Sequence, residues 1–311
     1  MTKHRIAIVG FGKIAQDQHV PSIAANPAFE IVATVSRSGS SPSAIPAFGS
    51  VGEMLAADLG VNTVAICTPP SVRYDVAREC LEAGLHSLLE KPPGVTLGEC
   101  EELARLAQEK GLTLFTTWHA QYNPAVAAAA ERLKGKRIAA MRIVWREDVR
   151  KWHPGQQWIW APGGFGVFDP GINALSIATK IFPGALILRD AELLFPANRD
   201  TPIAASLGFA SPAASGALSA QFDWRHSGGE AWTIEIEPED GPPLLLADGG
   251  SRLLVGGVEE VAHGEGEYPA IYAHFADLLA RDASHVDLTP LRLSADAFLL
   301  GKRVQVEAFE D

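Results

Sequence analysis

Two short segments of the sequence carry residues whose types and spacing could do chemistry. The first is Gly10-Phe11-Gly12, which opens a G-x-G-x-x-A pattern that ends at Ala15 and follows an apolar run from Ile6 to Val9. Gly10 permits a tight turn, Gly12 leaves room for a phosphate, and Ala15 lets a following helix approach the strand. The turn therefore predicts a site for the pyrophosphate of a dinucleotide at the start of a helix.

The end of the second predicted strand indicates which dinucleotide is accepted. NAD-preferring sites place an acidic residue there, against the 2'-hydroxyl of the adenine ribose. This chain has Ser36 and Arg37 instead. Ser36 can donate a hydrogen bond and Arg37 can pair with a 2'-phosphate, so NADP is predicted to bind at least as well as NAD.

The second segment is Glu90-Lys91-Pro92-Pro93, an adjacent acid and base that follow a predicted strand from His86 to Leu89. Open parallel sheets bind ligands at the carboxyl ends of their strands, and the prolines end the strand at that edge. The residues predicted to contact the cofactor are Gly10, Gly12, Lys13, Ile14, Ser36, Arg37, Thr68, Pro69, Glu90 and Lys91.

Strand and helix patterns alternate through the first third of the chain, which is typical of a parallel sheet with crossover helices. The predicted strands are 5–9, 29–36, 61–68, 86–89 and 112–117, and the predicted helices are 15–25, 51–59, 72–83 and 97–108. Ser38 to Pro46 is rich in Gly, Ser and Pro and predicts a loop. The fold class is therefore α/β, with an N-terminal Rossmann dinucleotide-binding domain over residues 1–121.

Residues 122–311 show a different pattern, in which apolar and polar residues alternate. The predicted strands are 138–145, 186–194, 204–209, 218–224, 232–236 and 244–246. Several such runs without intervening helices predict a C-terminal α+β domain with an open, mainly antiparallel sheet. Two late amphipathic segments, 268–280 and 294–304, predict helices, and we expect the last one to pack back on the first domain.

Composition narrows the possible partners. The chain has 311 residues, 47% of them hydrophobic, and a formal net charge of −11, which disfavours binding to nucleic acid or anionic lipid. We find no signal segment before the first strand and no apolar run of ~18 residues, so we expect a cytoplasmic protein without a membrane span. The three cysteines form no CxxC pair and predict buried thiols.

In these segments the chain resembles the glucose-fructose oxidoreductase and inositol dehydrogenase family, whose members carry the Glu-Lys-Pro segment and a Thr-Pro-Pro strand end. More narrowly it is similar to the bacterial aldose 1-dehydrogenases that oxidise L-arabinose or D-galactose. The segments that carry this closer similarity are 13–19, 147–160 and 166–176.

The resemblance implies that Lys91 and Asp169 are the catalytic residues. Oxidising an anomeric hydroxyl requires a base for the O–H proton while hydride leaves C1, and either side chain could be that base. Many relatives place a histidine four residues after the aspartate, on the same helix face. This chain has Asn173 there, so the aspartate-histidine dyad is not expected, and Asn173 is predicted to hydrogen-bond a sugar hydroxyl.

Four of the seven tryptophans, at 145, 152, 158 and 160, lie in one short segment among polar residues. Indole faces and polar side chains together suit a pyranose. Trp145 and Trp160 are expected in the core. The residues predicted to contact the substrate are Glu147, Trp152, His153, Trp158, Asn173 and His119.

The histidines leave alternatives open. His119 follows a predicted strand and could contact the substrate or the nicotinamide ribose, or be structural. His19 is predicted to be structural. No chelating histidine pair is present, and hydride transfer to nicotinamide needs no metal, so no metal is predicted.

The sequence therefore predicts an NAD(P)-dependent aldose 1-dehydrogenase that makes a lactone. Two alternatives stay open: a dehydrogenase of the same family acting on a secondary ring hydroxyl, and a sugar- or nucleotide-sensing regulator without turnover. Because open sheets with apolar outer residues tend to be covered by another copy, we expect a homo-oligomer.

Overall fold

The structure is a computed structural model that describes residues 3–37, 39, 41–42, 45–261 and 266–310. Its strands are β1 (His4–Val9), β2 (Phe29–Val35), β3 (Ala47–Phe48), β4 (Thr63–Ile66), β5 (His86–Leu89), β6 (Leu114–Thr116), β7 (Ile138–Arg146), β8 (Ile187–Pro196), β9 (Ala204–Ala210), β10 (Leu218–Asp223), β11 (Ala231–Pro238), β12 (Leu244–Ala247), β13 (Arg252–Val255), β14 (Val258–Val261) and β15 (Lys302–Val306).

The α-helices are α1 (Val20–Ala25), α2 (Val51–Ala56), α3 (Pro70–Glu82), α4 (Leu97–Lys110), α5 (Pro124–Leu133), α6 (Val149–Trp152), α7 (Phe168–Ile181), α8 (Glu267–Ala280) and α9 (Thr289–Leu300). A π-helical turn, Ala15–His19, leads into α1, and short 3-10 turns span His119–Tyr122, Gln157–Trp160 and Asp248–Gly250. The predicted loop from Ser38 to Pro46 lies partly outside the described residues.

The chain divides into two compact units. The first contains Met1–His119 and Glu267–Leu288, and the second contains Ala120–Gly266 and Thr289–Asp311. The division after His119 lies close to the predicted one after residue 121. The first unit also contains the later segment Glu267–Leu288, which the predicted boundaries placed in the second domain.

The first unit is a six-stranded sheet in the order β3-β2-β1-β4-β5-β6. Every neighbouring pair is parallel. The last four residues of β1 and all of β4 are buried, as expected for central strands of a parallel sheet that is covered on both faces. The central strands β1 and β4 place the turn at Gly10 and the loop at Thr68 on the same carboxyl edge, where doubly wound sheets bind their ligands.

The segment that returns to the first unit contains α8, and not the last helix as predicted. The apolar face of α8, which includes Tyr272 and Phe275, packs on the ring of Phe29 at centroid distances of 5.6 and 5.8 Å. The last helix, α9, contacts α7 and β8 in the second unit. Both helices are amphipathic, so hydrophobic periodicity alone could not tell which of the two units each helix belongs to.

The second unit is built on a nine-stranded sheet in the order β14-β13-β12-β11-β7-β10-β9-β8-β15. The pairs β7–β10 and β8–β15 are parallel, and the other pairs are antiparallel. The predicted fold class is therefore confirmed. The predicted helix 294–304 is partly wrong, because α9 ends at Leu300 and the following residues form β15.

One face of this sheet carries exposed polar side chains. Arg142 of β7 lies opposite Glu235 of β11, and Gln221 of β10 lies opposite Ser206 of β9, and all four side chains are exposed. The expectation of an apolar outer face is therefore wrong. Side chains alternate along these strands: the apolar ones face the helices, and the polar ones face the other side of the sheet.

Helix α7 lies very close to the sheet at Gly171. A Cβ atom there would lie 2.6 Å from the ring of Phe222 on β10, which is closer than van der Waals contact allows. Glycine therefore lets the helix that carries Asp169 and Asn173 approach the strand. Most of its side chains are buried.

We predict that Gly171→Ala destabilises the second unit by ~1–3 kcal/mol, because the added methyl group must displace Phe222 or the helix. Gly98→Ala is the matched control, since Gly98 is an exposed helical glycine of α4 and a Cβ atom there would meet nothing within 4 Å among the described residues. Chemical denaturation of both variants checks this, and a Gly171→Ala protein as stable as the wild type would contradict it.

Candidate functional site

Gly10 makes the turn after β1 in a conformation that only glycine adopts easily. Its φ is +91°, and its N–H donates to the carbonyl of Val35 at 2.8 Å. A Cβ atom at this position would lie 2.6 Å from the backbone nitrogen of Thr68. The turn therefore packs directly against the loop that follows β4.

Gly12 differs from Gly10, because a Cβ atom there would meet nothing within 4 Å in the described ranges of the chain. The space beside Gly12 is open, while Ala15 is fully buried behind it. This arrangement fits a pyrophosphate beside Gly12 and a helix packed closely on the strand, as the sequence predicts. The side chains of Lys13 and Ile14 are exposed, and the Lys13 ammonium pairs with the Asp17 carboxylate.

Ser36 and Arg37 lie at the carboxyl end of β2. The N–H of Ser36 donates to the carbonyl of Phe48 at 2.9 Å, which ties this end of β2 to β3. The side chain of Arg37 is exposed. The positions where an acid would select NAD are therefore occupied by a hydroxyl group and an accessible guanidinium.

Thr68 lies in the loop after β4, one residue before Pro69 begins the turn into α3. Its hydroxyl oxygen is buried and has no hydrogen-bond partner within the described parts of the chain. A buried hydroxyl in this state is unusual, and a ligand at the sheet edge could satisfy it. Thr68 and the open space beside Gly12 both fit a dinucleotide at this edge.

The carboxylate of Glu90 is buried, with 4% of the residue exposed, and is fully engaged inside the first unit. It accepts hydrogen bonds from the Tyr268 hydroxyl at 2.7 Å and from the backbone N–H of Lys91 at 2.8 Å. The His19 Nε2 atom lies 3.0 Å away. The carboxylate thus fixes the backbone of Lys91, and the contact of Glu90 with the cofactor stays a prediction.

His19 and Glu90 form a buried ion pair. Burial would raise the pKa of Glu90, but the hydrogen bonds from His19 and Tyr268 and the charge of His19 hold it well below its ordinary value. Burial would lower the pKa of His19, but its neighbours Cys67, Tyr272 and Glu90 raise it well above its ordinary value. The hydrogen bond between the two groups thus favours the charged form of each.

Lys91 follows β5 at the same sheet edge, and its side chain is half-buried. His119 also belongs to this edge: its Nδ1 atom lies 2.8 Å from the Glu267 carboxylate, and its ring stacks on Tyr268. Burial would lower the pKa of His119, but the carboxylates of Glu267 and Glu90 raise it against the opposing charge of Lys91. His119 thus has structural partners, and its contact with a ligand stays a prediction.

In the second unit, Asp169 lies in the first turn of α7 and is buried. Its Oδ2 atom is 3.4 Å from the Nε2 atom of His153. The dyad with a histidine four residues later on the same helix is not reproduced, because Asn173 stands there, but Asp169 has a histidine neighbour that the sequence analysis did not predict. The histidine comes from the segment after α6 and not from the next turn of the same helix, so the spacing of four residues could not reveal it.

Asn173 lies one helical turn after Asp169, on the same face of α7. Its side-chain oxygen is buried and accepts no hydrogen bond from the described residues. A buried amide oxygen without a donor is costly. A hydroxyl group of a ligand would supply the missing donor, as the sequence predicts for this residue.

Glu147 is buried and holds two indole rings. Its carboxylate oxygens accept hydrogen bonds from Trp224 Nε1 at 3.1 Å and from Trp232 Nε1 at 2.9 Å. The carboxylate thus orders two aromatic residues, and the contact of Glu147 with the substrate stays a prediction. Sequence analysis missed Trp224 and Trp232, because both lie far from Glu147 in the chain and the pairing of β11 with β7, which places Trp232 opposite Trp145, is visible only in the structure.

The other tryptophans of the segment separate into core and surface residues. Trp145 and Trp160 are buried in the core, as expected. Trp152 is 44% exposed, lies 5.5 Å from the ring of Trp232, and donates its indole N–H to Glu230. Trp158 is partly buried and donates its indole N–H to Gln156 at 3.1 Å.

Two further observations concern metals and membranes. The described ranges contain no group of three histidine, cysteine, aspartate or glutamate side chains placed to hold a metal ion. Every helix of the described residues is too short or too polar to cross a bilayer.

The glycine turn, the parallel sheet and the ligand edge of the first unit define a dinucleotide-dependent oxidoreductase. The family model described as an oxidoreductase family with an NAD-binding Rossmann fold matches residues 4–118. Galactose 1-dehydrogenase from Pseudomonas fluorescens is 45% identical over 307 residues, which cover 99% of each chain. The chain therefore belongs to the glucose-fructose oxidoreductase and inositol dehydrogenase family, and it is an NAD(P)-dependent sugar dehydrogenase that acts on a CH–OH group.

Solved structures agree with this assignment. The D-galactose-1-dehydrogenase from Rhizobium etli superimposes with a TM-score of 0.94 at 45% identity, and the match covers 100% of this chain and 99% of that chain. The 3-ketoreductase KijD10 from Actinomadura kijaniata, solved with NADP and TDP-benzene, has a TM-score of 0.82 at 18% identity over 98% of this chain and 100% of that one. The latter similarity concerns the fold alone.

We predict that Gly12→Val weakens NADPH binding at least ~10-fold, because the added side chain fills the open space beside the turn. Its thermal stability should match that of the wild type, since a Cβ at this position meets no described atom within 4 Å. Gly10→Ala is the contrast and should lower both binding and stability. Fluorescence titration and thermal unfolding check this, and unchanged NADPH affinity in Gly12→Val would refute the placement.

Proposed function

We propose that the chain is an NAD(P)-dependent aldose 1-dehydrogenase that oxidises the anomeric hydroxyl of a sugar such as L-arabinose, D-galactose or D-fucose to the lactone. The observation that carries the proposal is that α7 presents both Asp169, whose carboxylate lies beside His153, and the buried amide oxygen of Asn173. Similarity to two galactose 1-dehydrogenases over the whole chain supports the same substrate class.

The reaction removes a proton from the anomeric hydroxyl and a hydride from C1. A dinucleotide at the edge beside Gly12 and Thr68 would supply the hydride acceptor, its oxidised nicotinamide ring. We assign the handling of the proton to Lys91 and Asp169, one as base and the other as the group that hydrogen-bonds the hydroxyl. His153 would hold the Asp169 carboxylate in position, since its Nε2 atom lies 3.4 Å from that carboxylate.

The second unit offers two kinds of contact for a pyranose. Asn173 supplies a buried amide oxygen, which can accept a hydrogen bond from a sugar hydroxyl. Trp152 supplies a partly exposed aromatic face, which suits the C–H groups of the ring. We further propose that His153, Trp158 and His119 contact the sugar, and that Glu147 acts through the indoles of Trp224 and Trp232 that it holds.

We propose that NADP is accepted at least as well as NAD. Ser36 and the exposed Arg37 stand where NAD-selective sites carry an acid. A guanidinium pairs with a phosphate through charge-assisted hydrogen bonds that are worth ~1.5–3 kcal/mol. The 2'-phosphate of NADP would therefore gain an interaction that NAD lacks.

We predict that Arg37→Ala raises the Michaelis constant for NADP by ~10-fold or more and leaves that for NAD nearly unchanged, because only NADP carries the 2'-phosphate. Arg78→Ala is the control, since Arg78 is an exposed arginine of α3 that pairs with Glu82. Initial rates with both cofactors check this. An unchanged constant for NADP would show that Arg37 does not bind the phosphate.

We predict that Lys91→Ala and Asp169→Ala each lower turnover ~100-fold or more, because each removes a group that handles the hydroxyl proton. Lys180→Ala, an exposed lysine of the helix that carries Asp169, should keep wild-type turnover. Absorbance of reduced nicotinamide with D-galactose gives the rates. If either catalytic variant kept more than about a tenth of wild-type turnover, its assignment would fail.

The experiment that tests the function itself is a panel of aldoses with NAD and NADP, followed by product analysis. We expect a lactone that hydrolyses to an aldonic acid. A keto-sugar would indicate oxidation of a secondary ring hydroxyl. Absence of turnover with every aldose would favour a sensing role.

Two further expectations belong to this proposal. We propose a cytoplasmic homo-oligomer that associates through the open sheet. Because exposed polar side chains line that face, the interface would be formed by hydrogen bonds and ion pairs, with residues such as Arg142 and Glu235 at its surface. Sedimentation of a monomer would contradict this assembly.

A further inference from the structure

Arg73 is a buried arginine of α3 that belongs neither to the glycine turn nor to the residues proposed to contact the substrate. Only 3% of the residue is exposed. Its guanidinium donates hydrogen bonds to three backbone carbonyls, which belong to Thr68, Glu90 and Pro92. One side chain thus joins the loop after β4 to the loop after β5.

Two of these carbonyls flank Lys91 in the chain. The carbonyl of Glu90 precedes it and the carbonyl of Pro92 follows it, and Arg73 Nη1 contacts both. The N–H of Lys91 is held separately by the Glu90 carboxylate at 2.8 Å. The backbone of Lys91 is therefore fixed on both sides by charged side chains.

The far end of the same loop is fixed by close packing. A Cβ atom on Gly94 would lie 2.8 Å from the Sγ atom of Cys100 on α4, so the loop lies directly on that helix. Glu99 accepts hydrogen bonds from the backbone N–H groups of Val95 and Thr96 in the capping box of α4. Between the end of β5 and α4, Arg73 is the side chain that holds the carbonyls around Lys91.

A buried guanidinium is costly to desolvate, so its hydrogen bonds must compensate for the lost water. An apolar side chain could fill the same volume, but it would leave strand-end carbonyls without donors. Arginine suits this role because its planar group carries five N–H donors in a rigid fork, whereas lysine offers one flexible ammonium.

We propose that Arg73 is a positioning residue for Lys91: it sets the place of the reacting ammonium by holding the carbonyls on either side of it. This inference rests on the proposed function, because it takes Lys91 as a group that handles the proton. A displacement of about 1 Å at a reacting group can cost ~100-fold in rate.

The test compares Arg73→Lys and Arg73→Met with Arg78→Met, a matched change at the exposed arginine of the same helix. We expect Arg73→Met to lower turnover with D-galactose at least ~10-fold, with the Michaelis constant for the sugar changing much less, because the reacting group moves while the sugar residues stay. Arg73→Lys should recover part of the loss, and Arg78→Met should have no effect.

A double-mutant cycle separates positioning from general stability. Lys91→Ala removes the group that Arg73 is proposed to position, so Arg73→Met should cause little further loss in that background. Equal losses with and without Lys91 would overturn the proposal. Unfolding of both Arg73 variants would also overturn it, since Arg73 would then be needed for folding and not for placing Lys91.

Amide hydrogen exchange supplies a readout that does not depend on activity. Arg73→Lys should speed exchange in the peptide around residues 89–95 and leave β1 unchanged, because the loop loses hydrogen bonds locally. Unchanged exchange there would contradict the proposal. If instead Lys91→Ala kept full turnover, the assignment of Lys91 to the proton step would fail, and the exchange result would still decide whether Arg73 holds this loop; absence of turnover with every aldose would be the failure of the proposed function.

Discussion

The buried carboxylate of Glu90 is the interaction on which the candidate site of the first unit depends. A charge with so little exposure must be paired, and its partners come from separate parts of the chain. His19 belongs to the turn that follows the glycine pattern, Tyr268 belongs to α8, and the Lys91 N–H belongs to the loop after β5. One ion pair thus orders the elements around a sheet edge, and loss of either partner would leave an uncompensated charge in the interior.

The second unit uses the same physical device with different groups. Glu147 is buried and is stabilised by two indole N–H groups, so a carboxylate fixes the orientation of Trp224 and Trp232. Asp169 is buried beside His153 on a helix that glycine holds against the sheet. In both units a buried acid orders side chains that could meet a ligand. Glu90 holds the N–H of Lys91 and Glu147 holds two indole rings, so each unit has candidate site residues that are fixed by a buried acid.

Fold prediction succeeded where one local pattern decided the outcome. Continuous apolar runs between helices identified the parallel sheet, and alternation identified strands such as β7 and β10. It failed where two structures share a pattern. The segment after Leu300 reads as a continuing helix but pairs with β8, and the amphipathic helices α8 and α9 exchange their predicted places. The polar outer face of the large sheet follows from the same alternation, because the apolar set packs toward the helices and the polar set faces the other side.

The sequence by itself determined the features that depend on one residue and its neighbours: the turn that only Gly10 can make, the missing acid at Ser36 and Arg37, Lys91 at a strand end, and Asn173 in place of a histidine. Tertiary structure alone decided the partners. His153 reaches Asp169, Arg73 holds the carbonyls around Lys91, and α8 brings Tyr268 to Glu90. The physical reason is that buried polar groups need hydrogen-bond partners, and the fold supplies these from distant parts of the chain. Pairs that lie far apart in sequence leave no periodic pattern.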